Sequence, residues 1–305
     1  MQKVAIVIPY FGSWPEWFDI FLETCKYNGT VKWMFFTDCK TPKKTPKNVQ
    51  FESLSLEEFN CLASKKTGLK TKIKRAYKVC DFRPAYAEIF EQYLTEFEFW
   101  GWGDIDVIYG DLDHIFRPKN LEKYDIISAR RRRTAGVLTV LKNTRKMNKI
   151  YRKSPDHEKI LEDEVGYAFD EKGVFKDRRV VSMTEIIKGH AKNMEINYLF
   201  WDYAKTDKKM NKEDLKMYWK NGKIYNSKNG KEVYLYHFLD RKENENFHVP
   251  KSIDPSNGFL VGRNGIREVS SSYSVPRKPL SLAAERLKDK LRWTKDRIAK
   301  DWYQS

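Results

Sequence analysis

Five consecutive apolar residues, Val4-Ala5-Ile6-Val7-Ile8, end at Pro9. A run without polar alternation suits a strand buried on both faces, as in a parallel sheet covered by helices. Over residues 14–27 the apolar positions change period. Trp17, Phe21, Leu22 and Cys25 share one helical face. Residues 32–36 read as a second buried strand, closed by Thr37-Asp38. Strand, helix and strand within about 35 residues form the βαβ pattern of an α/β domain.

The pattern continues along the chain. Residues 40–48 are a Pro/Lys loop, and 54–63 are predicted helical, capped by Ser55 with Glu58 three positions on. A further helix is predicted over 85–94, after Arg83-Pro84. A short aromatic strand over 99–102 runs into Gly103-Asp104-Ile105-Asp106, and strands follow at 124–129 and 136–141. Residues 205–232 are rich in Lys, Asn and Gly. Within them Asn221-Gly222 marks a hairpin between aromatic strands. Another strand is predicted over 233–238, and the chain reads as loop from Pro250 to Pro276. From Leu280 onward Leu280, Ala283, Leu287, Leu291, Thr294, Ile298 and Trp302 line one helical face. The predicted organisation is a main domain over 1–275 and a basic amphipathic helix over 276–305.

Composition adds a constraint. The 305 residues carry 58 Lys+Arg against 42 Asp+Glu, a formal charge of +16. With 41% hydrophobic and 14% aromatic residues, the chain is no disordered basic tail, because such tails lack the apolar surface that offsets chain entropy. The charge calls for an anionic partner: nucleic acid, an acidic membrane or a phosphorylated small molecule. Cys25, Cys39, Cys61 and Cys80 include no CxxC pair and have no His at zinc spacing, which argues for reduced thiols in a cytoplasmic protein. The N-terminal apolar run is too short for a signal peptide. No window approaches the roughly 20 apolar residues that span a bilayer.

Asp104-Ile105-Asp106 is the strongest chemical feature. Two carboxylates spaced by two residues off a strand end point into one crevice if the backbone there is irregular, which Gly103 permits. Hard oxygen donors at such a place suit Mn²⁺ or Mg²⁺. Asp111-Leu112-Asp113 repeats the spacing, but turn or helix N-cap roles suit those two aspartates better.

The order of Val4 to Phe11, Phe35-Phe36-Thr37-Asp38 and Asp104-Ile105-Asp106 resembles GT-A-fold glycosyltransferases. More narrowly, Lys78-Val79-Cys80-Asp81-Phe82-Arg83-Pro84-Ala85-Tyr86, followed by Trp102-Gly103-Asp104-Ile105-Asp106-Val107-Ile108-Tyr109-Gly110-Asp111-Leu112, resembles a bacterial capsule and O-antigen group. The resemblance extends to about residue 240. It implies a Rossmann-type mixed sheet flanked by helices, a nucleotide-sugar donor (UDP-hexose) and a glycan or lipid-linked glycan acceptor. It places Pro9, Tyr10 and Phe11 at the nucleotide, Asp38 near base or ribose, and Asp81 and Arg83 along the donor site. Asp104 falls toward ribose and metal, and Asp106 and the late His237 become metal ligands.

Each assignment has a structural alternative. Asp38 can end a strand, Arg83 can form a surface ion pair, and Tyr10, Phe11 and His237 can be core residues. For an inverting reaction a carboxylate must take the acceptor proton. Asp163, then Glu164, in Glu162-Asp163-Glu164 stand at the corresponding distance along the chain.

Arg130-Arg131-Arg132-Arg133 reads either as an anionic-ligand patch or as a solvated loop. Residues 276–305 hold nine Lys/Arg against four acids, with Trp293 and Trp302, which suits an interfacial helix on anionic lipid at the inner membrane face. The alternative for its apolar face is the main domain or a second subunit in a homodimer. Two other functions compete. Nucleic-acid binding is weakened by basic residues spread over the whole chain, and glycoside hydrolysis by a carboxylate pair is weakened by the nucleotide-site pattern.

Overall fold

The N-terminal run forms β1 (Val4–Tyr10), in which Val4, Ala5, Ile6 and Val7 are fully buried. In this computed structural model the described residues are 3–130, 133–190, 216–227, 230–238, 247–250, 253–254, 257–262, 264–270 and 273. The predicted helix over 276–305 lies outside them, as do Arg131 and Arg132.

Along the chain β1 is followed by α1 (Phe18–Lys26), β2 (Val31–Thr37), β3 (Val49–Ser53) and α2 (Leu56–Thr67). The expected cap of α2 is present: Ser55 Oγ accepts from Glu58 N at 3.1 Å, and Glu58 accepts from Ser55 N at 2.7 Å. Gly68 ends that helix at φ 76°. The helix predicted over 85–94 is broken. A 3₁₀ segment (Ala76–Ala85) leads into α3 (Tyr86–Ile89) and α4 (Glu91–Leu94). Between them Phe90 leaves helical geometry, with φ −108° and ψ 26°, and its ring stacks on Phe36 at 4.0 Å. Core packing of that ring overrides helix continuity.

Then come β4 (Phe99–Gly103), β5 (Val107–Tyr109), α5 (Leu112–Ile115), α6 (Pro118–Leu121), β6 (Ile126–Ser128) and β7 (Leu138–Lys142). The main sheet has the order β3-β2-β1-β4-β7-β6. Its first four strands are parallel, and β7 runs antiparallel to both β4 and β6. This mixed α/β sheet is flanked by helices on both faces. Strand alternation sorts the residues: Ala5 and Val7 join the cluster with Phe59, Phe82 and Phe90, while Val4, Ile6 and Ile8 join the one with Phe18, Phe21 and Leu22. The chain travels outward from β1 to β3, then returns to lay β4 on the other side of β1. The carboxyl ends of β1 and β4 therefore border the crevice of a topological switch point.

The next elements are α7 (Arg145–Asn148), α8 (His157–Glu162), the short pair β8 (Val174–Phe175) and β9 (Arg178–Arg179), and α9 (Met183–His190). A second, antiparallel sheet follows from β10 (Met217–Lys220), β11 (Lys223–Asn226) and β12 (Glu232–Val233). After β13 (Leu235–His237), it is completed by β14 (Phe259–Gly262) and β15 (Gly265–Glu268). The β10–β11 turn has Asn221 at φ 49° and Gly222 at φ 76°, the left-handed pair its sequence predicts.

Two expectations fail in this region. β14 and β15 pair antiparallel where a loop was expected, because Phe259, Leu260 and Val261 are buried against β10. The strand predicted over 233–238 splits at Tyr234: β12 stays in the second sheet, whereas β13 pairs with β5. That crossing is what carries His237 toward the first sheet. β5 and β13 form a two-stranded sheet of their own, and Trp219 Nε1 donating to Tyr109 O at 2.9 Å fastens the five-stranded sheet to it.

Candidate metal centre

β4 ends at Gly103, opposite Leu138 of β7, so Gly103 continues the sheet and does not bend the chain as expected. Its missing side chain supplies room: a Cβ there would lie 2.7 Å from Tyr109 Oη. Asp104 N donates to Val137 O at 3.3 Å, and Trp17 Nε1 donates to Ile105 O at 3.0 Å. Ile105 turns into the hydrophobic cluster beneath β1. The chain bends at Ile105 and Asp106, the irregular backbone expected from the sequence, and Asp104 and Asp106 come together with His237.

Register brings in the third group. β13 pairs antiparallel with β5 so that His237 faces Val107, and Phe238 N donates to Asp106 O at 3.1 Å. His237 Nε2 thus stands 3.2 Å from Asp106 Oδ1. One donor atom from each of Asp104, Asp106 and His237 lies within 4.8 Å of the other two. An octahedral cation with bonds of about 2.1 Å spans roughly 4 Å between opposite ligands. A single ion therefore fits this set with small side-chain adjustments. Two carboxylates and one imidazole suit Mn²⁺ well and Mg²⁺ through the oxygens.

The Asp104 carboxylate is held from behind. Arg83, in the 3₁₀ segment, donates from Nη2 to Asp104 Oδ1 and from Nη1 to Asp170 Oδ2, the latter at 2.7 Å. Gly136, beside this clamp, has no room for a side chain: a Cβ would lie 2.5 Å from Arg83 Nη1 and 3.2 Å from Asp170 Oδ2. Its N–H donates to Glu171 at 2.8 Å.

The sequence profile of a family described as of unknown function (DUF6625) matches residues 6–269. The chain belongs to that family. A comparison with curated proteins finds no match. The DUF6625 match takes in β1 from Ile6, the Asp104/Asp106 pair, Asp170 and His237, and stops before the basic tail.

Other predicted residues distribute unevenly around this DUF6625 cluster. Pro9 and Tyr10 end β1 half-buried. The Tyr10 ring stacks on Trp14 at 5.0 Å, and its hydroxyl donates to Ser13 O at 3.0 Å. Burial raises the Tyr10 pKa, helped by the charges of Cys39 and Asp106, so Tyr10 shares the electrostatic surroundings of the metal ligands. Phe11 packs toward Phe59 at 5.9 Å. Asp38 is exposed and accepts from Gly12 N at 2.8 Å, which fixes the loop after β1. Asp111 is the N-cap of α5, as expected, whereas Asp113 is neither cap nor turn: it reaches across the chain to accept from Gly29 N, Thr30 N and Thr30 Oγ1.

Asp81 requires a correction. It is 2% exposed and has no open side to a donor. Its carboxylate accepts from Lys78 Nζ, Tyr167 N and Phe169 N, each at 3.0 Å. Lys78 is equally enclosed and also donates to Ile160 O at 2.6 Å and Val165 O at 2.7 Å. Asp81 thereby shapes the 165–170 loop around itself. Ala168, between the two bonded amides, sits at φ 52°, a left-handed conformation that costs an alanine about 1 kcal/mol. The product of this contortion is the placement of Asp170 against Arg83.

Asp163 and Glu164 are not brought to the triad by any bond among the described residues. Asp163 accepts from Tyr167 Oη at 2.6 Å and from Val165 N at 3.3 Å, and the Tyr167 bond chiefly holds its carboxyl below the usual range. Glu164 pairs with Lys74, which lowers it likewise. Lowered carboxylates are weaker bases, the wrong direction for a proton acceptor.

Asp170 is the residue that sequence reading missed. It is 3% exposed, and burial pushes it up to about 7 against the opposing pull of Arg83. Its only sequence signal was an acidic pair, Asp170-Glu171, in an aromatic, glycine-flanked loop.

Proposed function

We propose that this chain is a metal-dependent glycosyltransferase of GT-A architecture. It would transfer a hexose from a nucleotide-diphosphate donor, UDP-hexose first, to a cell-surface glycan or lipid-linked acceptor. One observation carries the reading: Asp104 and Asp106, in the bend between β4 and β5, converge with His237 of β13 at the carboxyl edge of the β1/β4 crevice. That edge is where open α/β sheets bind ligands.

Asp104, Asp106 and His237 would hold Mn²⁺ or Mg²⁺, which when bound neutralises charge on a departing nucleoside diphosphate. The remaining residues orient. Arg83 fixes one oxygen of Asp104, Asp170 fixes Arg83, and Gly136 leaves space for both. Tyr10 and the Asp38-braced loop after β1 form the adjoining wall for the nucleotide. Among the described residues no helix is long and apolar enough to cross a membrane. We assign contact with an anionic inner membrane face to residues 276–305, on the strength of their sequence alone.

Thermal shift with UDP and GDP, each with and without Mn²⁺, tests the reading. A ligand that binds only the folded state raises its stability by mass action. We expect a metal-dependent shift for one of the two nucleotides. Asp106→Ala should lose that shift, while Asp113→Ala, which only loosens the turn at Thr30, should retain it. Absence of any metal-dependent shift in the unaltered protein would refute the proposal.

A further inference from the structure

Beside the Arg83–Asp170 clamp stands an aromatic ledge that the donor site does not use. Tyr77 opens the same 3₁₀ segment as Arg83 and is 66% exposed, the most exposed large hydrophobic side chain among the described residues. A single exposed ring needs no explanation, but a second ring beside it makes a continuous aromatic surface. The Tyr77 hydroxyl is nonetheless pushed up to about 12, by burial first and then by the charges of Cys80, Asp170 and Asp104.

The second wall is Phe175 of β8. Its ring centre lies 6.0 Å from that of Tyr77, and the two planes are inclined by 37°. The two rings thus form a shallow open angle. The ledge is built firmly. The hairpin grows from the Asp81-pinned loop through Gly173 N to Ala168 O at 2.9 Å, and Val180 N to Gly173 O at 2.8 Å closes it. Gly173, at φ 66°, admits the close approach of Val180 and Ser182.

The rim is basic. Lys72, Lys74 and Arg75 precede Tyr77, and Lys176, Arg178 and Arg179 occupy the hairpin together with one acid, Asp177. Lys74 is paired with Glu164, and Arg179 lies 3.9 Å from Glu185. Counted over 72–77 and 174–179, Lys and Arg still outnumber the single acid. Flat C–H faces of a pyranose pack on aromatic rings, and a neighbouring carboxylate or phosphate matches such a rim.

We propose that Tyr77 and Phe175 form a subsite for an anionic glycan, with one pyranose ring stacked on Tyr77 and its acidic neighbour on the Lys/Arg rim. Assigning that glycan as the acceptor rests on the glycosyltransferase reading; the binding site itself does not.

The test uses the full chain and a glucuronic-acid-containing disaccharide as probe, with a neutral disaccharide of the same linkage alongside. Binding is read by saturation-transfer NMR, and UDP·Mn²⁺ binding is measured on the same samples by calorimetry. The acidic disaccharide should bind the unaltered protein and Tyr77→Phe alike, and bind Tyr77→Ala at least about tenfold more weakly. Phe175→Ala should weaken it in the same direction. The neutral disaccharide should bind the unaltered protein about tenfold more weakly than the acidic one. Equal binding of the acidic disaccharide by Tyr77→Ala, or its failure to bind at all, would overturn the subsite. Equal affinity for the two disaccharides would overturn the anionic class. If UDP·Mn²⁺ fails to bind while the Tyr77-dependent signal persists, the subsite stands and the donor reading falls.

Discussion

Replacing Asp81 by Asn changes one oxygen to an amide nitrogen at the centre of the 165–170 loop. The native carboxylate satisfies three donors, and an Asn oxygen can serve only those on one side. With the oxygen kept toward Lys78 and Tyr167, the new amide faces Phe169 N–H, donor against donor. Lys78, whose side chain is 1% exposed, simultaneously loses its counter-charge. Breaking a buried ion pair by removing one partner costs about 3–5 kcal/mol. At roughly 2–4 °C per kcal/mol for a protein of this size, Tm should fall by on the order of 10 °C.

The loss should also depend on pH. Burial already lowers the Lys78 pKa, and Asp81 opposes that shift. Without Asp81 the folded pKa drops further, so the folded state binds its proton more weakly than the unfolded chain. The penalty is then fully present at low pH and shrinks as pH rises toward the unfolded lysine value. Scanning calorimetry at pH 6 and pH 9 should show the larger deficit at pH 6. A further Lys78→Met change in the same chain should recover much of the loss, because replacing a whole buried pair is often neutral. A Tm within about 2 °C of the unaltered protein at both pH values would refute the role given to Asp81.

Gly136→Ala should push Arg83 out of its clamp and reduce Mn²⁺ affinity by about tenfold or more, the usual effect of losing a group that orients a ligand. Calorimetric titration with Mn²⁺ checks this, and unchanged affinity would count against the clamp. Asp170, raised to about 7, binds its proton more tightly in the folded state than in the unfolded chain. Its contribution to stability therefore declines as pH rises from about 4 to about 7, with a ceiling on the order of 4 kcal/mol. Asp170→Asn should flatten the pH dependence of Tm over that window, and an unchanged slope would contradict the raised value. Deleting residues 280–305 should weaken binding to anionic liposomes in a co-sedimentation assay while nucleotide binding stays intact. Liposome binding equal to that of the full chain would remove the membrane assignment.

The βαβ opening and the Ser55/Glu58 cap were legible because local periodicity and capping chemistry act within a few residues. The Asn221-Gly222 turn was legible for the same reason. The pairing of Asp104 with Asp106 was visible as a spacing that needs an irregular backbone, and the chain does bend at Ile105 and Asp106. His237 was reached only through the family resemblance. Its geometry depends on the antiparallel register between β13 and β5, across more than a hundred residues of chain. The 85–94 helix and the β14–β15 pair went astray where tertiary packing of Phe90 and Phe259 decided the outcome. Asp81 and Asp170 illustrate the deeper limit. Both are acids in aromatic stretches, and nothing local says that one is enclosed by backbone amides while the other faces Arg83. Gly103 was noticed for the wrong property: what matters is the empty volume taken by Tyr109, not backbone freedom.

The most direct test of the central claim is pulsed EPR of Mn²⁺ added to the protein with UDP. If Asp104, Asp106 and His237 hold the ion that holds the diphosphate, the spectra will show one imidazole ¹⁴N coupling together with ³¹P couplings. The nitrogen signal will disappear in His237→Ala. Mn²⁺ that retains the spectrum of the free aqua ion, or that couples to phosphorus with no nitrogen in the unaltered protein, would contradict the account.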